Sequence, residues 1–182
     1  MIEKSAGDGF HFKDQDYSEA GAQIVHDRAT LYQAPILIKS APVIEEDLPL
    51  LQFNQVIISP IHLSVLQASI LQKMMEKRIT AISFENLKDD SGSYPIVRSM
   101  SEIAGSAVML IAGQYLSKAN NGKGVLVGGI SGIPPTKVII IGAGIVGEYA
   151  ARTALAIGAS VKIFDNSIYR LKRLQNNIGG RL

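Results

Sequence analysis

The chain has 182 residues, a formal charge of +2, and a composition that is 47% hydrophobic and 19% charged, ordinary for a soluble protein of one large or two small domains. That balance implies attraction to neither nucleic acid nor membrane, and the absence of cysteine excludes disulfides, thiol nucleophiles and thiolate metal sites. The charge is uneven: from Pro134 onward there are seven Lys/Arg against two Asp/Glu, and before it eleven against fourteen. A basic C-terminal part suits a phosphate-bearing ligand, and solvated helix faces suit it nearly as well. The N-terminus carries Glu3, Lys4 and Asp8 rather than an apolar signal core. No stretch reaches the roughly 18 apolar residues of a membrane span, so a cytoplasmic protein is expected.

In chain order, Gly7-Asp8-Gly9 reads as a turn and Asp14–Gly21 as a short helix capped by Asp14 and stopped by Gly21. Gln23–Val25 reads as a short strand and His26–Gln33 as helical. Pro35–Lys39 is a strand with Lys39 at its carboxyl end. Val43–Leu51 reads as a short helix with Glu45, Glu46 and Asp47 in a first turn where the dipole favours acids. Gln55–Ile58 is a strand that runs into Ser59-Pro60-Ile61-His62. Leu63–Lys77 shows helical spacing, with Leu66, Ile70 and Met74 on one side; Ile79–Glu85 is a strand, and Lys88–Ser93 a polar turn. Alternating strands and helices predict an α/β unit with a mostly parallel sheet. Ligands of such sheets sit outside the carboxyl ends of the strands. Lys39 and His62 fall at two of those ends.

Ser99–Lys118 is the longest helical pattern, with Ser99 and Glu102 spaced for a capping box. Its interior is rich in small residues (Ala104, Gly105, Ser106, Ala107, Ala112, Gly113), which suits a helix packed closely between two lobes. Asn120–Pro135 is glycine- and proline-rich linker. Val138–Ile141 is a β-branched run that predicts a strand buried on both faces. Gly142, Gly144 and Gly147 follow directly, in the pattern G-x-G-x-x-G. The first glycine allows a tight turn, the second a close approach of backbone to pyrophosphate, the third close packing of the next helix on the sheet. The helix, alanine-rich to Ile157, ends at Gly158. A second strand, Ser160–Phe164, leads to Asp165, which lies 18 residues after Gly147, where a ribose-binding carboxylate belongs. A glycine-rich turn with a solvated aspartate is the plain alternative. On the ligand reading Asp165 selects NAD over NADP, since a carboxylate accepts from the 2′-hydroxyl and repels a 2′-phosphate. A last helical run covers Ser167–Asn177.

These elements place 1–98 in a substrate domain, 99–135 in a bridging helix and linker, and 136–182 in the first βαβ unit of a Rossmann domain. A proton donor or acceptor near neutral pH is available in His62 and a carboxylate-holding or carbonyl-polarising cation in Lys39. Both residue types are also common in purely structural or solvated roles at such positions. No His/Asp/Glu spacing suggests a metal, and no G-x-S-x-G suggests a serine nucleophile.

The chain resembles alanine dehydrogenase in several segments taken in order: Leu37-Ile38-Lys39, Ile61-His62-Leu63, Ile79–Glu85, Ser99–Gly105, Gly122–Leu126 and Lys137–Asp165. Alanine dehydrogenases are relatives of the alpha subunit of NAD(P) transhydrogenase and of saccharopine-dehydrogenase-like enzymes. The resemblance implies two α/β lobes, a flavodoxin-like or Rossmann-like substrate domain and a Rossmann NAD domain, usually in hexamers. It implies reversible conversion of L-alanine, NAD and water to pyruvate, ammonia and NADH. Lys39 would then contact the substrate carboxylate or carbonyl, and His62 would bond the substrate carbonyl and serve as acid and base. The turn from Gly142 through Val146 to Gly147 would bind pyrophosphate, Asp165 the adenosine ribose, and Arg170 would lie by the adenosine end. Met100 and Ser101 would lie near the nicotinamide half.

The family's substrate-binding Arg is expected upstream of this sequence and its catalytic Asp downstream, so the chain is expected to be an internal portion with little activity of its own. A non-catalytic dinucleotide-binding module like the transhydrogenase subunit, and a remnant that binds nothing, are the other readings.

Overall fold

Strands and helices do alternate as the pattern requires, in two compact units, Met1–Leu87 and Lys88–Leu182. The computed structural model describes residues 1–179.

In the first unit, β3 (Ile36–Ile38), β4 (Val56–Ser59) and β5 (Thr80–Ser83) form a parallel sheet in the order β3-β4-β5. Ile36 lies opposite Val56, and Val56 opposite Thr80. The middle strand carries the fully buried Ile57, around which Tyr32, Leu37, Val43, Leu51, Ile70 and Met74 pack. Ile70 and Met74, one turn apart, are the buried stripe of α3 (Ala68–Glu76). A second, two-stranded parallel sheet pairs β1 (Ile2–Glu3) with β2 (Ile24–Val25). Helices α1 (Asp14–Glu19) and α2 (Arg28–Leu31) flank β2 in sequence.

Several local expectations are corrected. The Ile2–Glu3 strand has no sequence signal of its own, because its partner supplies the order. The cap of α1 is Lys13, whose N–H donates to Asp16, while Asp14 accepts from the Ser5 N–H. The predicted Val43–Leu51 helix is a single 3₁₀ turn, Glu45–Asp47. Helix α3 starts five residues later than Leu63, since Leu63 and Val65 point to solvent and gain nothing from a helical face.

In the second unit, α4 (Pro95–Leu116) begins before the expected Ser99. Proline suits the first helical turn, where its missing N–H is not needed. Ser99 therefore lies inside the helix, its hydroxyl donating to the Pro95 carbonyl, and Glu102 pairs with Arg98 instead of closing a capping box. The helix is long and apolar enough to cross a membrane by composition alone, contrary to the expectation from the sequence. It packs along α5 (Ile145–Ala156). A Cβ on Gly105 would stand 2.4 Å from the Val146 carbonyl oxygen, so Gly105 marks this close crossing, whereas Ala104 and Ser106 are exposed and a Cβ on Gly113 would meet nothing within 4 Å.

Strands β6 (Lys137–Ile141) and β7 (Ser160–Phe164) pair in parallel, Lys137 opposite Ser160 and Ile141 opposite Phe164. Val138, Ile140 and Ile163 face a core of Met109, Ala151, Ala154, Ala159 and Val161. Burial of β6 on both faces is not observed: Ile139 and Ile141 are 65% and 88% exposed, and among the described residues no element covers them. Helix α6 (Ile168–Ile178), capped by the Ser167 hydroxyl, completes the unit and buries Leu174.

Candidate functional site

Three glycines at the end of β6 hold three different positions. Gly142 has φ +106°, a conformation that a side chain would strain, and its N–H extends the ladder to the Phe164 carbonyl at 2.7 Å. Gly147 sits so close beneath the turn that a Cβ would lie 2.0 Å from the Gly142 oxygen. Gly144, which caps α5, has extended backbone and open space where its Cβ would go. Open room beside a helix N-terminus, whose first N–H groups lack helical partners and sit at the positive dipole end, fits an anionic phosphate group.

Asp165 lies against this turn and not across the molecule from it. Its Oδ2 accepts from the Ala143 N–H at 2.7 Å and its Oδ1 from the Ser167 N–H at 2.7 Å. These two backbone donors hold its pKa below the usual carboxylate value, and the side chain is 3% exposed. Arg170 Nη1 stands 3.9 Å from the same carboxylate. A groove of about 770 Å³ is lined by Gly142, Gly144, Val146 and Gly147, and by Asp165, Arg170 and Ser101. It also runs along β6. Met100 is exposed and lies outside the groove lining.

In the first unit, Lys39 follows β3 and is only 14% exposed. Its ammonium donates to Asp47 Oδ2 at 2.5 Å and to the Tyr32 hydroxyl at 3.0 Å. Asp47, wholly buried, also accepts from Tyr32 at 2.5 Å, Arg28 at 2.5 Å and the Ile44 N–H at 3.0 Å. Burial alone would lower the Lys39 pKa, but its bonds to Asp47 and Tyr32 outweigh that and raise it. Burial likewise opposes the Asp47 charge, yet the bonds from Lys39, Tyr32 and Ile44 leave its pKa below the ordinary value. Lys39 is thus a fixed cation, suited to holding an anion and unsuited to accepting a proton.

His62 follows β4 in a left-handed conformation, φ +46°, with its side chain 55% exposed. Its Nδ1 is 3.8 Å from Glu85 Oε1, and the same oxygen accepts from the His62 and Ile61 N–H groups at 2.8 and 2.9 Å. Desolvation works against the Glu85 charge, but backbone donors led by His62 prevail and hold its pKa at about 2. Lys39 lines a second groove, of about 660 Å³, with Arg28 and Tyr32, and His62 is not part of that lining. The sequence singles out Lys39 and His62 as candidates but not Asp47 and Tyr32 beside Lys39, Arg28 on the far side of Asp47, or Glu85 beside His62. For Glu85 there was a signal: an acid just past the strand that neighbours β4.

Residues 1–104 match the model described as "Alanine dehydrogenase/PNT, N-terminal domain", and residues 107–182 match "Alanine dehydrogenase/PNT, C-terminal domain". Alanine dehydrogenase 2 of Staphylococcus aureus (strain USA300) is 35% identical over 182 residues, covering 100% of this chain and 49% of the relative. A solved L-alanine dehydrogenase superposes with a TM-score of 0.89 at 35% identity, over 100% of this chain and 50% of the other. The transhydrogenase from Sinorhizobium meliloti superposes with a TM-score of 0.82 at 21% identity, over 99% and 53%, a likeness of fold. The chain spans about half the length of the curated relatives it matches.

Proposed function

The chain belongs to the alanine dehydrogenase/PNT family, and we propose that it supplies the NAD-binding turn and part of the substrate domain of an oxidoreductase converting L-alanine, water and NAD to pyruvate, ammonia and NADH. The observation that carries this reading is the turn itself: free space at Gly144, a forced positive φ at Gly142, and Asp165, at the end of the neighbouring strand, bonded to the turn. NAD held at this turn would supply a hydride acceptor for the substrate.

The chain's own residues then divide the work. Gly142, Gly144, Val146 and Gly147 receive the pyrophosphate, and the lone pairs of Asp165 not used by Ala143 and Ser167 accept from the ribose hydroxyls. Arg170 lies at the adenosine end, Ser101 and Met100 toward the nicotinamide. Lys39 holds the substrate carboxylate or carbonyl as a permanent cation, and His62, oriented by Glu85, moves the proton. Assembly into homo-oligomers, hexamers by family resemblance, and a cytoplasmic setting complete the proposal.

Calorimetric titration of the 182-residue chain with NAD tests the reading. Binding of NAD in preference to NADP is expected, with Gly144→Val weakening it at least tenfold; equal binding by the Gly144→Val variant would overturn it. Alone, the chain is expected to turn over alanine little or not at all, because positioning and acid–base terms each contribute roughly 10²-fold or more.

A further inference from the structure

We propose that Arg173, a residue outside the fingerprint, is a positioning residue of the nucleotide site, holding the Ala143–Gly144 peptide so that the Gly144 N–H faces the groove. This rests on the dinucleotide reading above. Ala143 is completely buried, and both of its backbone polar groups are gripped from outside the turn. Its N–H donates to Asp165 at 2.7 Å, and its carbonyl accepts from Arg173 Nη2 at 3.2 Å.

The peptide is planar and trans, so its carbonyl and the following N–H point in opposite directions. Fixing the Ala143 oxygen toward α6 therefore turns the Gly144 N–H away from α6. That N–H has no acceptor among the described residues, and Gly144 borders the open groove. The second observation is thus an unspent donor beside the groove in which the proposed pyrophosphate would lie. Arg170, one turn earlier on α6, makes no such contact with the turn; its nearest ion-pair approach is the 3.9 Å to Asp165. The anchor itself is firm. Leu174, next to Arg173, is fully buried, and Asn177 donates to Glu148 Oε1 of α5 at 3.1 Å.

Two readouts on the full 182-residue chain test the assignment: hydrogen exchange of the buried Ala143 amide, bonded to Asp165, without ligand, and calorimetric affinity for ADP-ribose. Arg173→Ala should raise exchange at the Ala143 amide and weaken ADP-ribose, each about tenfold, the equivalent of one charge-assisted hydrogen bond. Arg173→Lys should recover part of both, and Lys172→Ala, an equal loss of charge on the same helix, should change neither. Unaltered exchange and affinity in Arg173→Ala would overturn the proposal, as would a Lys172→Ala variant that matches it. Should Arg173→Ala not fold, Arg173→Gln replaces it with the same criteria. Failure of the unsubstituted chain to bind ADP-ribose would defeat the dinucleotide reading, while the exchange comparison still decides whether Arg173 sets the peptide.

Discussion

At the scale of single residues, glycines of one motif carry different loads, and substitution should separate them. Gly147→Ala drives a Cβ to within 2.0 Å of a backbone oxygen, and a loss of about 1–3 kcal/mol is expected in denaturant unfolding. Gly144→Val enters open space with backbone that any residue adopts, so its unfolding midpoint should stay put while NAD affinity falls. Asp47 is the converse case, a buried carboxylate with four donors. Asp47→Ala leaves Lys39 without its counter-charge and should cost about 3 kcal/mol, read from the same unfolding curve. Glu85 gives a pH signature. Its pKa falls from 4.5 to about 2 on folding, so its stabilising effect is complete above pH 4.5 and lost as the pH drops toward 2. Glu85→Gln should therefore flatten the stability profile across that acid window and lower stability at neutral pH.

Among the elements, the crossing of α4 over α5 depends on Gly105. Gly105→Val should push the two helices apart and lower the melting temperature of the second unit by several degrees, a cost of about 1–3 kcal/mol. The βαβ unit was legible because its constraints are local. A β-branched strand, a glycine turn and a matching second strand specify one another within 30 residues. The turn and Asp165 could be read together for the same reason. What escaped was decided at a distance. Asp47 gathers partners 19, 15 and 8 residues away, and nothing in Glu45-Glu46-Asp47 distinguishes the one acid that turns inward. Ser99 looked like a cap because the spacing to Glu102 is right, but Pro95 had already started the helix. Ile139 and Ile141 read as core because a β-branched run implies cover on both faces, and composition alone does not say where the cover comes from.

For the whole molecule, the bare face of β6 should dominate solution behaviour. Ile139 and Ile141 stand beside an unpaired strand edge, a combination prone to association. The folded chain should bind the dye ANS and sediment as aggregates at rising concentration, and the double variant Ile139→Lys, Ile141→Glu should reduce both. Equal dye binding by that variant would locate the adhesive surface elsewhere. The hydrogen bond from Ala143 to Asp165 reaches further than stability. It ties the turn after β6 to a carboxylate beyond β7, 22 residues on, and so pins the loop from a second strand. A loop pinned in this way has little conformational entropy left to lose when it captures a ligand, and what a floppy loop would forfeit stays in the affinity.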